Sequence, residues 1–206
     1  MPDRPGAPPR AWQRMLSGRR LDLLDPSPLD IEIEDIAHGL ARVARWNGQT
    51  SGDHAFSVAQ HSLLVERMLG LQQPDASSRD RLATLLHDAP EYVIGDMISP
   101  FKAVIDTAYR EVEARLGIAV RLRFGLPATL PPAMRQRIKR ADQAAAYWEA
   151  VRLAGFADAE AKRYFGQPGK IGLEAIATFL DPWPAKRAET GYLKAFGRMA
   201  AATVET

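Results

Sequence analysis

The sequence predicts an all-α fold, a single globular bundle of helices. Apolar residues recur at helical spacings of three and four over most of the chain, and no stretch shows the convincing alternation of a β-strand. Serine or proline stands where several of these periodic segments begin, as is typical of helix N-termini. With 206 residues, 46% of them hydrophobic and 25% charged, the chain can fill one core but is too short for two ordinary domains.

Composition excludes several classes of protein. The chain has no Cys, which excludes a disulfide scaffold, a Cys-based zinc site, an iron–sulfur cluster and a thiol nucleophile. No apolar run approaches the roughly 20 residues of a membrane span, and the N-terminus lacks the apolar segment of a signal peptide, so we expect a soluble cytoplasmic protein. The net charge of +2 does not indicate a nucleic-acid partner.

The N-terminal part of the chain divides into a lead-in and a first helix. Residues 1–21 are rich in Pro, Gly and Arg and predict a flexible lead-in, followed by one helical domain over residues 22–206. The first helix ends at Asn47-Gly48. It presents one apolar face, formed by Ile36, Ala37, Leu40, Val43 and Ala44.

The central helices follow from caps and periodicity. A second helix begins near Ser57, in a capping box in which Gln60 reaches back, and runs to about Met68. A third covers residues 78–88. Ser99-Pro100 predicts the start of a long amphipathic helix that continues to Leu116. Further helices are expected over residues 132–153, 173–180 and 189–200.

Only four His are present, and two of them combine with carboxylates in a pattern that suits a metal ion. In isolation, His87-Asp88 predicts no more than a helix-terminal His. However, His61 lies in the first turn of the preceding helix, and Asp142 lies beside the apolar face of a later one. Two imidazoles and two carboxylates from three helices suit Mn²⁺, Fe²⁺, Co²⁺, Ni²⁺ or Zn²⁺ and leave positions open for water and substrate. His54, in the loop before Ser57, is the competing ligand.

A series of motifs resembles the bacterial HD-domain 5′-deoxynucleotidases, which are HD-domain metal-dependent phosphohydrolases. The resemblance lies in order and spacing and spans about residues 36–154. The motifs are Arg45-Trp46, Gln60-His61-Ser62, His87-Asp88-Ala89-Pro90-Glu91, Gly95-Asp96, Ser99-Pro100-Phe101-Lys102 and Lys139-Arg140-Ala141-Asp142 with Tyr147. The sequence departs from the pattern at Gln60, where an acid often stands, and at Pro90, where a small residue is usual.

The resemblance implies a role for each residue of the site. The metal ligands are His61, His87, Asp88 and Asp142. Glu91 orients or deprotonates the attacking water, and Asp96 protonates or assists the departing ester oxygen. Arg45 grips the phosphate, Trp46 packs against the sugar or base, and Lys102 is a further substrate-binding residue. No His follows His87, whereas HD proteins with two metals usually carry additional His before the last Asp, so we expect one divalent ion.

The predicted function is therefore hydrolysis of nucleoside 5′-monophosphates by attack of a metal-bound water, with a deoxyribose preference implied by the resemblance. Two alternatives remain open: a dNTP triphosphohydrolase using the same site, and a non-catalytic nucleotide-binding HD protein. The expected partner is a small nucleotide, and a homodimer is compatible with the prediction. Residues 118–140 hold six basic residues and no acid, but only Phe124 is aromatic, so a solvated face is predicted there rather than a nucleic-acid site.

Overall fold

The structure is a computed structural model that describes residues 11–98 and 107–204. Within these residues the fold is helical with one small sheet, and the all-α prediction is confirmed. The helices are α1 (Ile33–Leu40), α2 (Val58–Gln72), α3 (Ser78–Leu85), α4 (Glu91–Ile94), α5 (Thr107–Arg123), α6 (Pro132–Arg152), α7 (Asp158–Phe165) and α8 (Ala185–Val204).

A β-hairpin precedes the helices. β1 (Trp12–Arg14) pairs antiparallel with β2 (Arg20–Asp22), and Leu21 is fully buried. In the turn between the strands, Ser17 donates from its backbone N–H and from its hydroxyl to the carboxylate of Asp35, at 3.0 and 2.5 Å. The part of the expected flexible lead-in that the structure describes is therefore paired and anchored to α1.

The first helix is shorter than the sequence predicts. α1 ends at Leu40, and the chain then bonds back to the segment before α2 through Val58 N–H to Val43 O at 3.0 Å and Arg45 N–H to Phe56 O at 2.8 Å. A 3₁₀ turn follows over Arg45–Gly48, in which Trp46 and Asn47 have φ of 56° and 50°. The predicted helical face through Val43 and Ala44 is wrong, because these residues take part in this pairing.

α2 is the central helix of the fold. Every residue from 58 to 66 is buried, which is typical of a helix covered on all sides. The Ser57 hydroxyl accepts from Gln60 N–H at 3.3 Å, as the capping box predicts. The Gln60 side chain does not reach back, however. It donates to Phe179 O and Asp181 O and accepts from Trp183 N–H, so it ties the C-terminal loop to α2.

The other helices surround α2. α3, α6 and α8 pack directly on it, α1 packs on α4 and α8, and α7 packs on α6. One hydrophobic core runs from Leu21 to Met199. None of the helices in residues 11–98 and 107–204 is long and apolar enough to cross a lipid bilayer.

Several boundaries differ from the sequence prediction. The predicted helix over 173–180 consists of two 3₁₀ turns, Leu173–Ala175 and Ala177–Phe179. The last helix begins at Ala185 instead of residue 189. α4 and α7 were not predicted, since four and eight residues give little periodicity. The predicted start of the long helix at Ser99-Pro100, and Lys102 with it, lies outside the described residues, and its described part is α5.

Candidate active site

Packing of α2 against α3 and α6 brings together four of the residues that the sequence singles out. His61 lies in the first turn of α2, His87 and Asp88 follow the end of α3, and Asp142 lies in the middle of α6. Asp88 Oδ2 is 3.4 Å from His61 Nε2 and 3.1 Å from His87 Nε2. Asp142 Oδ1 is 3.2 Å from His61 Nε2. The four side chains therefore converge at one place.

The hydrogen bonds of both imidazoles fit a metal site. His61 Nδ1 lies 2.5 Å from Glu149 Oε1, and His87 Nδ1 lies 2.8 Å from Thr84 O. Because a carboxylate and a carbonyl only accept, each Nδ1 carries the proton, and each Nε2 is left with a lone pair. Both Nε2 atoms are buried and make no hydrogen bond within residues 11–98 and 107–204. A cation would use both lone pairs.

Ligand atoms of His61, His87 and Asp88 lie within 4.8 Å of one another, so these three residues form a group that can hold a metal ion. Asp142 is outside this tight group, but its Oδ1 contacts His61 Nε2 and provides a second carboxylate. Two imidazole nitrogens and carboxylate oxygens are a donor set suited to first-row divalent metals. The residues present therefore fit the ion that the sequence predicts.

Electrostatics also favour a cation at this position. Burial disfavours charge on Asp88, yet the neighbouring His87 and His61 hold the pKa of Asp88 well below its usual value. Burial likewise opposes charge on Asp142, and His61 lowers the pKa of that carboxyl. Despite burial and the nearby Arg45, the surrounding carboxylates raise the pKa of His61 well above its usual value. The carboxylates thus favour a positive charge between them, and a divalent ion would supply that charge.

Glu91 is the first residue of α4, one turn after Asp88, and its backbone N–H donates to Asp88 O at 3.0 Å. Its side chain is only 2% exposed and lines a cavity of about 500 Å³ together with His87, Asp88 and Asp142. The structure therefore places Glu91 on the same cavity wall as the metal-binding group.

Arg45 and Asp96 face each other behind that group. Arg45 Nη1 lies 3.7 Å from Asp96 Oδ1 and 3.9 Å from Asp88 Oδ2, and Arg45 Nη2 lies 3.3 Å from Glu149 Oε2. The Nε atom of Arg45 is buried and makes no hydrogen bond to the described part of the chain. Neither Arg45 nor Asp96 is among the described residues that line the 500 Å³ cavity.

Trp46 is held by two kinds of contact. Its indole Nε1–H donates to Glu149 Oε2 at 3.0 Å, and its ring packs against Phe156 and Phe165 with centroids 5.8 and 5.6 Å away. Trp46 does not line the described cavity either. Of the other two His, His54 is exposed in its loop, and His38 lies 3.6 Å from Glu189 on the surface.

Glu149 is a residue of the candidate site that the sequence did not single out. It is fully buried on α6 and contacts His61, Arg45 and Trp46. Burial would raise its pKa, but the charges of His61 and Arg45, together with hydrogen bonds from His61 and Trp46, lower the pKa of Glu149 to about 2. One signal was available: Glu149 follows Asp142 by two helical turns, on the same face of α6 as the buried Ala145.

Residues of opposite charge line the cavity. The lining includes His87, Asp88 and Asp142 and the acidic residues Glu91 and Glu113. The basic residues Arg110, Arg121, Arg135 and Lys139 also line it, together with apolar side chains such as Leu86, Ile118 and Ile138. The volume of about 500 Å³ is of the size that accommodates a small organic ligand. Basic side chains beside a cation site favour an anionic ligand.

Comparison with known proteins agrees with this geometry. The sequence model of a family described as 5′-deoxynucleotidase YfbR-like matches residues 36–163, which include the residues of the site from Arg45 to Glu149. An uncharacterized protein from Rhodobacter capsulatus is 62% identical over 179 residues, covering 87% of this chain and 91% of that protein.

Proposed function

Because the chain belongs to the YfbR-like 5′-deoxynucleotidase family, we propose that it is a metal-dependent phosphohydrolase that removes the phosphate from deoxynucleoside 5′-monophosphates. The observation that carries the proposal is the convergence of His61, His87, Asp88 and Asp142, of which the last three line a cavity together with Glu91. The deoxyribose preference rests on the family.

His61, His87, Asp88 and Asp142 would hold one divalent ion, drawn from Mn²⁺, Co²⁺, Fe²⁺, Ni²⁺ and Zn²⁺. When bound, such an ion supplies a Lewis acid for a phosphate oxygen and lowers the pKa of a coordinated water. A single ion is favoured because two of the four His of the chain are used here, while His38 and His54 lie on the surface.

Glu91 handles the proton of the attacking water. The water oxygen forms a bond to phosphorus, the bond between phosphorus and O5′ breaks, and Glu91 accepts the proton that the water loses. Its position supports this role, since the side chain is buried and shares the cavity with the ligand residues.

Asp96 delivers a proton to the departing O5′ in this scheme, and Arg45 binds the phosphate. In the structure Arg45 Nη1 lies 3.7 Å from Asp96 Oδ1, so a substrate phosphate that binds Arg45 competes with Asp96 for the guanidinium. The buried Nε–H of Arg45 is available for such a contact among the described residues.

A second candidate, dNTP triphosphohydrolase activity, is favoured by one specific observation. Arg135 and Lys139 lie on α6 one turn apart, line the cavity and precede Asp142 on the same helix. Arg110 and Arg121 line the cavity from α5. Cations in this arrangement suit the additional phosphates of a triphosphate chain.

A product assay tests the proposal and separates the alternatives. Metal-stripped protein is given each divalent ion in turn and then dNMPs, NMPs or dNTPs. We expect inorganic phosphate from dNMPs and a lower kcat/KM for NMPs. Release of tripolyphosphate from dNTPs, with no phosphate from dNMPs, would establish the triphosphohydrolase instead. Nucleotide binding without any phosphate release would identify a non-catalytic protein.

A further inference from the structure

Glu149 accepts side-chain hydrogen bonds both from the predicted metal ligand His61 and from the Arg45–Trp46 turn. We propose that Glu149 is a positioning residue that couples the two halves of the site, so that metal binding at His61 and substrate binding at Arg45 and Trp46 depend on one carboxylate. The part of this inference that concerns substrate binding rests on the proposed function, while the part that concerns metal binding rests on the contact between Glu149 and His61.

The two carboxylate oxygens of Glu149 accept hydrogen bonds from different parts of the site. Oε1 accepts from His61 Nδ1 at 2.5 Å, and Oε2 accepts from Trp46 Nε1 at 3.0 Å and from Arg45 Nη2 at 3.3 Å. The first contact fixes the His61 ring and directs Nε2 toward Asp88 and Asp142. The second holds the indole and the guanidinium. A shift of the carboxylate therefore moves both halves together.

Glu149 is fully buried, so water cannot replace a contact that it loses. A buried carboxylate persists only when charged or polar donors surround it, and here three donors from two other segments do so. The Arg45–Gly48 turn needs such support, because Trp46 and Asn47 adopt left-handed backbone conformations that bulky residues rarely populate. The contact with Glu149 thus fixes an otherwise unfavourable turn beside the site.

The chemistry of the side chain predicts how substitutions act. In Glu149→Gln one oxygen becomes an NH₂ group, which faces either the His61 N–H or the two donors of the turn. Three donors cannot all be satisfied by one amide oxygen, so one half of the site loses its partner. Glu149→Asp keeps both oxygens but withdraws the carboxylate by one methylene.

Trp46→Phe isolates the coupling. It removes the indole N–H and keeps an aromatic ring beside Phe156 and Phe165, and Trp46 touches none of the predicted metal ligands in the contacts above. A change in metal affinity in this variant travels either through Glu149 or through Arg45 and its 3.9 Å contact with Asp88, and the double variant with Glu149→Gln separates the two routes. The matched control is Glu66→Gln, because Glu66 is also a buried carboxylate on a helix and is paired to an arginine, Arg81, that is not one of the site residues.

The experiment is direct titration of Co²⁺ into metal-stripped full-length protein, followed by optical absorbance, with KM measured on the best dNMP. We expect Glu149→Gln to weaken Co²⁺ binding about 10- to 100-fold and to raise KM. Trp46→Phe should weaken Co²⁺ binding about two- to tenfold. The double variant should bind Co²⁺ no worse than Glu149→Gln alone. Glu66→Gln should leave both quantities unchanged.

Wild-type Co²⁺ affinity in Glu149→Gln or in Trp46→Phe would overturn the coupling, as would full additivity of the two effects. If Glu149→Gln does not fold, Co²⁺ binding is measured in Trp46→Phe and Glu149→Asp instead. Wild-type Co²⁺ affinity in Trp46→Phe would again overturn the proposed coupling. The titration requires no turnover. If the product assay shows no hydrolysis of any nucleotide, the proposed function is wrong. The Co²⁺ titration would still show whether the contact between Glu149 and His61 affects metal affinity.

Discussion

His61 Nδ1 lies 2.5 Å from the carboxylate of Glu149, and both side chains are completely buried. This contact determines which nitrogen of His61 can bind a cation. With the proton on Nδ1, Nε2 presents its lone pair to the space shared with Asp88, Asp142 and His87. The same carboxylate holds the segment that carries Arg45.

Substitution of Glu91 separates metal binding from catalysis. Glu91→Gln keeps the size of the side chain but removes the base, so metal content should stay near wild type while kcat falls about 10²- to 10⁴-fold. Metal analysis and phosphate release on the same preparation measure the two quantities. Unchanged phosphate release would remove Glu91 from the mechanism and make Asp96 the residue to test for proton transfer.

Substitution of Asp88 should remove metal and activity together. Asp88 Oδ2 contacts both imidazoles, and an amide oxygen is a much poorer ligand for a divalent ion than a carboxylate. Asp88→Asn should therefore bind substoichiometric metal, whereas Asp53→Asn, in an exposed loop, should match wild type. Elemental analysis of the wild type should give one tightly held ion per chain. Two tightly held ions would contradict the mononuclear site.

Arg45 should matter for stability as well as for substrate binding. Its guanidinium compensates the buried charge of Glu149 at 3.3 Å, and its side chain is only 14% exposed. Removing one partner of a buried ion pair typically costs about 3–5 kcal/mol of unfolding free energy. Arg45→Ala should lose free energy of this order in urea unfolding at saturating metal, with a smaller loss in Arg45→Lys. A wild-type urea midpoint in Arg45→Ala would show that the pair contributes nothing to stability.

Glu189 predicts a pH dependence that is independent of the metal site. A hydrogen bond from Arg42 lowers the pKa of Glu189 below its usual value of 4.5, and the pair joins α8 to the segment that follows α1. Because the folded pKa is the lower one, this contribution to stability is present above pH 4.5 and is lost as the pH falls through the folded pKa. The difference in urea midpoint between wild type and Glu189→Gln should be largest near neutral pH and shrink in acid. A constant difference would contradict the prediction.

Much of the fold could be predicted because its information is local. The apolar periodicity of α6 and the Ser57 cap of α2 are each contained within one segment, and the structure has both helices close to their predicted bounds. The ligand residues could be proposed for a related reason: His61, His87-Asp88 and Asp142 stand in a recognisable order along the chain. Packing of α2 against α3 and α6 then brings them together.

The contacts that the sequence did not reveal depend on tertiary packing. In the sequence, nothing distinguishes Glu149 from other glutamates on helices, because its contacts with the Arg45–Gly48 turn form only in the folded structure. That turn was itself missed, because Asn47 tolerates a left-handed conformation but nothing in the residue type of Trp46 predicts one directly before it. Gln60 was expected to close a capping box, but carbonyls of the distant C-terminal loop compete successfully for its amide. In each case the deciding partner is far away in sequence.

The central claim is that this site hydrolyses a deoxynucleoside 5′-monophosphate with the help of one divalent ion. The most direct test measures phosphate release from a dNMP by the full-length protein before chelation, after chelation and after Co²⁺ or Mn²⁺ is restored. We predict that chelation abolishes release, that one equivalent of ion per chain restores it, and that His87→Ala stays inactive throughout. Release that persists after complete removal of metal, or that is equal in His87→Ala, would contradict the account.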